Sequence, residues 1–262
     1  MNVPVISRWS TNAILAFSIT AISAGAVFAQ PTEPGTLEKA RQSTIEELDD
    51  VLGSETLDFA QRAILLNRRG RALLEQGETD RALKDFNDAI GFAPKYAAAY
   101  SGRGEVYEKL GSDSAAIGDY SRAIFFAPKS AGTFMLRGKL LAKLGRTGQA
   151  IRDFGEAIRL SPNLLDGYMS RGNAYRKLGK DEKAVLDFDR AVRLAPRSRE
   201  TFLARAETNK SLSRFSDAIN DYRGALTLDP QCSICLSELT ALGATDPKAK
   251  PDEITATSDG EQ

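Results

Sequence analysis

Histidine is absent from this chain of 262 residues, and cysteine occurs only twice. Without histidine the chain lacks the side chain that most often acts as a general base or as a metal ligand. A zinc site would need two further cysteine or histidine ligands beside the two cysteines. The Gly-x-Gly sequence at Gly102–Gly104 falls within a predicted helix, so it does not indicate a phosphate-binding loop. The sequence therefore predicts a protein that is not an enzyme, with no catalytic, cofactor-binding or metal-binding residues.

Neither sign of charge is in excess, because 35 lysine and arginine residues balance 35 aspartate and glutamate residues. Nucleic acids are bound by clustered cations that face the phosphates, and anionic membranes attract polybasic segments. The balanced composition therefore predicts no nucleic-acid partner and provides no polybasic patch for a membrane surface.

A hydrophobic run long enough to span a membrane is also missing. The uncharged apolar stretch Ala13–Val27 is shorter than the roughly 20 residues of a spanning helix. Arg8 precedes this stretch, and small residues end at Ala29, just before Gln30, as at a signal cleavage site. We therefore predict a cleavable secretory signal over residues 1–29, a secreted or periplasmic mature chain, and no membrane span after signal removal. An uncleaved anchor is the alternative.

A 34-residue pattern returns five times along the chain. Each of the first four copies has an Arg-Gly pair, then glycine, alanine, an Asp-aromatic pair, alanine and proline, and the fifth copy is degraded. A fixed period without insertions is typical of a stacked array of units rather than of a globular enzyme core. The pairs are Arg69-Gly70, Arg103-Gly104, Arg137-Gly138, Arg171-Gly172 and the degraded Arg205-Ala206, and the prolines are Pro94, Pro128, Pro162, Pro196 and Pro230.

Within each copy the sequence predicts a helix, a turn and a second helix. In the second copy, Gly111 is suited to end the first helix because glycine readily takes the left-handed conformation. Pro128 prevents the second helix from continuing. Small residues such as Gly104 and Ala116 allow the two helices to approach closely, and the neighbouring tyrosines fill the space around them. Because one hairpin cannot bury both of its faces, each must lean on the next.

These positions resemble the tetratricopeptide repeat family. The glycine, alanine, aromatic, alanine and proline positions match in phase four times without a gap. The resemblance implies an all-α fold, a right-handed superhelical solenoid of helix-turn-helix repeats, with a concave groove lined mainly by the first helices. It also implies a protein-binding, non-catalytic role. The fifth copy departs from the pattern, with Ala206, Asn209 and Ser213 in place of glycine, an apolar residue and glycine, so its hairpin is expected to be less tight.

The segments on either side of the array lack the 34-residue pattern. Residues 30–56 are predicted to form a linker, Pro31–Thr36, and a leading amphipathic helix over residues 37–52, which either caps the first unit or serves as an arm for a partner. The five repeats occupy residues 57–232. A terminal capping helix is predicted within residues 233–243. Residues 244–262 lack apolar periodicity and are predicted to be a disordered tail.

An aspartate follows each repeat arginine by sixteen residues, and the midpoint of each pair falls on the turn. Positions equidistant from the turn of an antiparallel hairpin lie at the same height, so each pair can meet, within the hairpin or across to the next unit. We predict a structural ladder of ion pairs; an arginine row that binds carboxylates or phosphates is the alternative. The pairs are Arg69 and Asp85, Arg103 and Asp119, Arg137 and Asp153, Arg171 and Asp187, and Arg205 and Asp221.

Cys232 and Cys235 form a Cys-x-x-Cys pair after Pro230. A haem attachment site would need a following histidine, but Leu236 stands there. A disulfide in an oxidising compartment is the leading interpretation. A redox-active pair at a helix N-terminus and two unpaired cysteines are the alternatives.

Candidate groove residues flank the Arg-Gly pairs on the first helices. Met135 and Met169 could form an adaptable apolar pocket for a peptide, and ordinary superhelix packing is the alternative. Some tetratricopeptide proteins grip a terminal carboxylate with a lysine and asparagine set, but Asn67 and Arg71 stand where the first members would be, which disfavours that mode. The candidates are Arg71, Glu105, Met135, Lys139, Met169 and Asn173.

The sequence thus favours an exported, non-catalytic scaffold that binds a protein or peptide in its groove, without a cofactor. One alternative is a redox-linked module that uses Cys232 and Cys235 for disulfide exchange with a client. Another is an envelope structural factor that self-associates through its terminal helices.

Overall fold

The computed structural model describes residues 34–244, which contain twelve α-helices and no strand. This confirms the predicted all-α, helix-turn-helix solenoid over the described residues. The predicted signal, residues 1–29, lies outside them, as does all but the first residue of the predicted tail. The helices are α1 Pro34–Leu52, α2 Phe59–Gln76, α3 Thr79–Phe92, α4 Ala97–Lys109, α5 Asp113–Phe126, α6 Ala131–Lys143, α7 Thr147–Leu160, α8 Leu165–Lys177, α9 Asp181–Leu194, α10 Arg199–Ser211, α11 Phe215–Leu228 and α12 Ser233–Ala241.

The leading helix α1 begins at Pro34, three residues earlier than its predicted start. Proline is compatible with the first turn of a helix because its fixed φ is helical and its missing N–H would have had no partner there. The predicted linker therefore gives way to helix at Pro34. Ile45 of α1 is only 2% exposed and packs with Leu73, Leu74 and Phe86, so α1 covers one face of the first hairpin.

Each copy of the sequence pattern folds into one helix pair: α2 with α3, α4 with α5, α6 with α7, α8 with α9, and α10 with α11. In each of the first four pairs, a glycine with positive φ lies just after the end of the first helix, as does Gly145 with φ 75°. The next amide then reaches back five residues, as from Arg146 N–H to the carbonyl of Leu141 at 2.8 Å. This arrangement satisfies carbonyl groups that the helix end would leave open.

The fifth hairpin closes in the same way although it lacks the turn glycine. Ser213 adopts φ 57°, and the N–H of Arg214 donates to the carbonyl of Asn209 at 2.9 Å. The expectation of a less tight hairpin is therefore wrong. Packing between α10 and α11 holds a serine in a conformation that costs an L-residue about 1 kcal/mol or more.

Replacing Ser213 with glycine is therefore expected to raise the free energy of unfolding by about 1 kcal/mol, because glycine adopts positive φ without a steric penalty. The reverse substitution at the equivalent turn, Gly179→Ser, is the matched control and should lower it by a similar amount. Urea unfolding followed by circular dichroism measures both changes. Equal stability of Ser213→Gly and the wild type would show that the turn stores no such strain.

The apolar interior is shared between successive pairs. Phe86 of α3 lies against Gly70 of its own pair and also against Gly102 of the following pair, so that a side chain at either glycine would collide with the ring. Phe86, Tyr120, Phe154, Phe188 and Tyr222 occupy equivalent positions and are at most 1% exposed. Because each ring is enclosed by its own hairpin and, at Phe86, also by the next, the pairs stack as one continuous structure.

The last helix, α12, completes this interior. Leu239 and Cys235 are fully buried in a cluster with Tyr222 and Leu226 of α11. Among residues 34–244, no helix combines the length and the apolar character needed to cross a membrane.

Candidate functional site

Two clefts open along the row of first helices. Cleft A has a volume of about 550 Å³ and receives residues from α2, α4 and α6, three successive first helices. Cleft B, of about 260 Å³, lies where α6 and α8 meet the start of α7. Cleft A is lined by Arg71, Ala97, Ala98, Ser101, Glu105, Ala127, Ser130, Gly132, Thr133 and Leu136. Cleft B is lined by Lys139, Ala142, Thr147, Phe154, Ser170, Asn173, Ala174 and Lys177. We refer to the two together as the groove.

Four of the six predicted groove residues line these clefts. Arg71, Glu105, Lys139 and Asn173 each directly follow the Arg-Gly or equivalent position of their repeat, and they therefore occupy the same place on α2, α4, α6 and α8. The 34-residue period aligns them in one row. The structure places the first two in cleft A and the last two in cleft B.

The two methionines, which were predicted to form an apolar pocket, line neither cleft. Met135 is only 6% exposed and packs in a core cluster with Phe134, Leu141 and Phe154. Met169 is half-buried and lines neither cleft. For Met135 the structure therefore supports the alternative of ordinary superhelix packing. Its side chain fills the space between α6 and the neighbouring helices.

Three of the charged side chains that line the groove, Arg71, Glu105 and Lys139, form ion pairs from one repeat to the next. Arg71 lies 3.4 Å from Glu105, and Lys139 lies 2.6 Å from Asp166. Burial raises the pKa of the Glu105 carboxyl above its ordinary value, although the nearby Arg71 opposes the rise. Farther along, Arg176 contacts Glu207 at 2.9 Å. These contacts hold the polar groups of the groove in place before any ligand arrives.

Sequence reasoning missed the floor of cleft A. Ala97, Ala98, Ser101 and Gly132 are small residues on α4 and α6 that line this cleft. The signal was present as a run of small residues in the second and third repeats. It could not be interpreted from sequence because alanine also fills tightly packed helix contacts, and only the side of the helix distinguishes the two uses.

The structure brings together all five predicted pairs of the ladder. Each arginine donates from Nε and Nη2 to the two carboxylate oxygens of its aspartate; for Arg137 and Asp153 both distances are 2.8 Å. The arginine side chains of the pairs are about one-fifth exposed, and the aspartates are nearly buried, at 22% and 8% for this pair. The other pairs are Arg69 with Asp85, Arg103 with Asp119, Arg171 with Asp187, and Arg205 with Asp221.

The same arginines also reach the preceding unit. Nη1 of Arg103 donates to Asn87 at 2.7 Å, Nη1 of Arg137 to Ser121 at 3.0 Å, and Nη1 of Arg205 to Asp189 at 2.7 Å. Each acceptor lies sixteen residues before its arginine. At Arg171 the corresponding residue is Gly155, which offers no side-chain acceptor. With Nε and Nη2 already bonded, these guanidinium groups have little capacity left for a carboxylate or phosphate ligand, so the geometry supports the structural interpretation.

Cys232 and Cys235 form a disulfide at the start of α12. Cys232 is 6% exposed and Cys235 is fully buried. Disulfide exchange requires an attacking thiolate to reach one of the two sulfurs. The burial of both residues therefore gives no support to the redox-linked alternative. The two cysteines instead pack, at the start of α12, into the apolar cluster that this helix covers.

Comparison with protein families matches models of the tetratricopeptide repeat to residues 67–131 and 165–198, and a further TPR repeat model to residues 138–179. A comparison with curated protein sequences gives no match.

Solved structures with the same architecture include YrrB, described as a TPR protein with an unusual peptide-binding site, at 20% identity and a TM-score of 0.60; 77% of this chain and 98% of YrrB are covered. MamA 41-end from Desulfovibrio magneticus RS-1 gives 17% identity and a TM-score of 0.59, with 66% of this chain and 97% of MamA covered. The C-terminal part of a TPR repeat-containing protein from Cytophaga hutchinsonii gives 21% and 0.64, with 78% and 81% covered. At these identities the likeness concerns the fold alone. The family models identify tetratricopeptide repeats within residues 67–131 and 138–198 of this chain.

Proposed function

We propose that this protein is an exported, non-catalytic scaffold that binds an extended segment of another protein in the groove. The observation that carries the proposal is cleft A, in which three successive first helices line one continuous space of about 550 Å³ with mostly small side chains. Small residues let a ligand backbone approach closely. The charged residues that flank them, Arg71 and Glu105, supply polar contacts that can fix its orientation.

Preorganisation supports this function. The ladder holds consecutive hairpins in register, and Arg71, Glu105 and Lys139 of the groove are already paired across repeats before binding. A surface that does not need to be ordered on binding loses less free energy to immobilisation, so modest individual contacts can add up to useful affinity. The family models that match the chain are tetratricopeptide repeat models, and none of them is a catalytic family.

Export is the second part of the proposal. The disulfide between Cys232 and Cys235 suits an oxidising compartment, where such bonds form and persist. The predicted signal over residues 1–29 would direct the chain there. Fractionation of cells that express the full chain tests this: the mature protein should be recovered outside the cytoplasm with Gln30 as its first residue. A cytoplasmic, unprocessed chain would contradict export.

A displayed library of random peptides tests the groove directly. Peptides selected on the wild-type protein should bind Ala98→Trp at least about tenfold more weakly, a loss of about 1.4 kcal/mol, because the indole fills cleft A. The matched control is Ala115→Trp, at an exposed position of α5 that lines neither cleft, and it should bind as the wild type does. Circular dichroism verifies that both variants are folded. Equal binding by Ala98→Trp, or a library without binders, would reject the groove as the binding site.

A further inference from the structure

We propose that the groove takes an acidic peptide in the polyproline II conformation, with carboxylates three residues apart that face a row of lysines. This rests on the proposed function and specifies the chemistry of the partner. The lysine row consists of Lys109, Lys143 and Lys177. Each lies five residues after the glycine of its Arg-Gly pair, on α4, α6 and α8 respectively. All three side chains are exposed.

The row is confined to the middle of the array. A cation in the last turn of a helix is favoured by the helix dipole, which accounts for a lysine at any one of these helix ends. The equivalent residues of α2 and α10 are Glu75 and Ser211, so the dipole alone does not explain three lysines in consecutive repeats. The three lysines occupy equivalent places on α4, α6 and α8, and Lys177 lines cleft B, so they give a cationic track over the second, third and fourth units.

The charge of this track is only partly compensated. Lys109 Nζ donates to the carbonyl of Leu74 at 2.9 Å, and Lys143 Nζ lies 3.9 Å from Asp113, too far for a hydrogen bond. Lys177, which lines cleft B, has no hydrogen-bond or ion-pair partner among the side chains that the structure describes. Lys139 adds a further cation to the same cleft, with Asp166 as its counter-charge. An anionic ligand therefore complements this part of the groove.

The spacing of the lysines selects the ligand conformation. The first helices α6 and α8, which carry Lys143 and Lys177, contact each other, as do α2 and α4. The axes of packed helices lie about 8–10 Å apart. In a β-strand, residues three apart point to opposite sides. In a polyproline II helix, with three residues per turn and a rise of about 3.1 Å, residues three apart lie on one side and about 9 Å from each other. Carboxylates with that spacing can meet successive lysines.

Fluorescence polarisation with two labelled peptides tests this proposal. The first peptide repeats Glu-Pro-Ser three times, and the second has the same composition with its three glutamates contiguous. The wild-type protein should bind the first peptide several-fold more tightly than the second, and the affinity should fall as salt is raised. The double variant Lys143→Glu, Lys177→Glu should bind the first peptide at least about tenfold more weakly, because two attractions are replaced by two repulsions.

The matched control is Lys84→Glu, Lys183→Glu, which makes the same change of charge at exposed lysines of the second helices α3 and α9. It should bind the first peptide within about twofold of the wild type, apart from the weak screened effect of net charge. Equal binding of the two peptides, or equal losses of affinity in both double variants, would show that the lysine row does not recognise the spaced carboxylates. Library peptides that still depend on Ala98 in that case would leave the groove intact as a binding site, whereas a library without binders would remove the proposed function itself.

Discussion

Replacing Arg137 with alanine is expected to lower the free energy of unfolding by about 3 kcal/mol. The substitution leaves the carboxylate of Asp153, which is 8% exposed, without the two hydrogen bonds that it accepts from the guanidinium. Removal of one member of a buried ion pair costs about 3–5 kcal/mol, and the one-fifth exposure of Arg137 places the effect at the lower end. The bond from Arg137 to Ser121 of the preceding unit is lost as well. Urea unfolding followed by circular dichroism measures the change.

Exchanging the two charges shows whether the stability depends on the ion pair itself or whether any substitution at these positions destabilises the protein. The double variant Arg137→Asp, Asp153→Arg should be more stable than the less stable of its two single variants, because opposite charges again face each other across the hairpin. Arg171→Ala offers a comparison within the chain, since Arg171 has Gly155 at the place of the preceding-unit acceptor and should lose somewhat less than Arg137→Ala. A charge-exchanged protein no more stable than the worse single variant would show that the ladder does not hold the hairpins together.

Gly138→Val is expected to lower the free energy of unfolding by about 3 kcal/mol. A Cβ atom at Gly138 would lie 2.7 Å from Cε1 and 2.9 Å from Cδ1 of Phe154, and 3.2 Å from Cβ of Asp153. Phe154 is 1% exposed and enclosed by α6 and α7, so its ring cannot move aside without displacing a helix. Overpacking of a well-packed interior costs about 1–3 kcal/mol, and the two extra methyl groups of valine place this site at the upper end.

The matched control for this prediction is Gly118→Val on α5. Gly118 is exposed, and a Cβ atom built there has no neighbour within 4 Å. Valine is also a slightly better helix former than glycine, so this variant should be as stable as the wild type or more stable by a few tenths of a kcal/mol. Equal effects of valine at positions 138 and 118 in urea unfolding would mean that close approach of the helices at the repeat glycine does not matter for the stack.

Much of the fold is readable from the sequence because one pattern is sampled five times. A single Arg-Gly pair or a single proline means little, but their recurrence at 34 residues fixes the number of hairpins and the phase of each helix. The Arg137 and Asp153 contact follows from the same regularity, since positions equidistant from a turn must face each other. Where the pattern degrades, as at Ser213, packing decides the backbone and local sequence misleads.

The residues of the groove could be predicted from the sequence only in part. Residues at equivalent positions, such as Lys139 and Asn173, could be aligned by counting, and they lie together in cleft B. Met135 could not be placed, because a helix residue two positions away from a ladder arginine faces either the groove or the neighbouring hairpin depending on the rotation of the helix. A change of a few tens of degrees moves a side chain from one surface to the other, and the repeat period carries no information about that angle.

The burial of the two cysteines is a second feature that the sequence alone could not give. The Cys-x-x-Cys spacing allows both a structural and a redox role, and only the position of α12 against Tyr222 and Leu226 separates them. The ladder and the terminal disulfide therefore have structural roles, and binding along the first helices is the function that we propose.

Amide chemical shifts of the isotope-labelled protein, recorded with and without a library-selected peptide, test most directly whether a ligand occupies the groove. Binding there should shift amides of the first helices on the groove side, including Ser101, Glu105, Lys139 and Asn173, in a saturable way. It should leave the outer positions of the second helices, such as Arg152 and Leu186, unchanged. Shifts confined to the second helices would contradict a ligand held along the row of first helices.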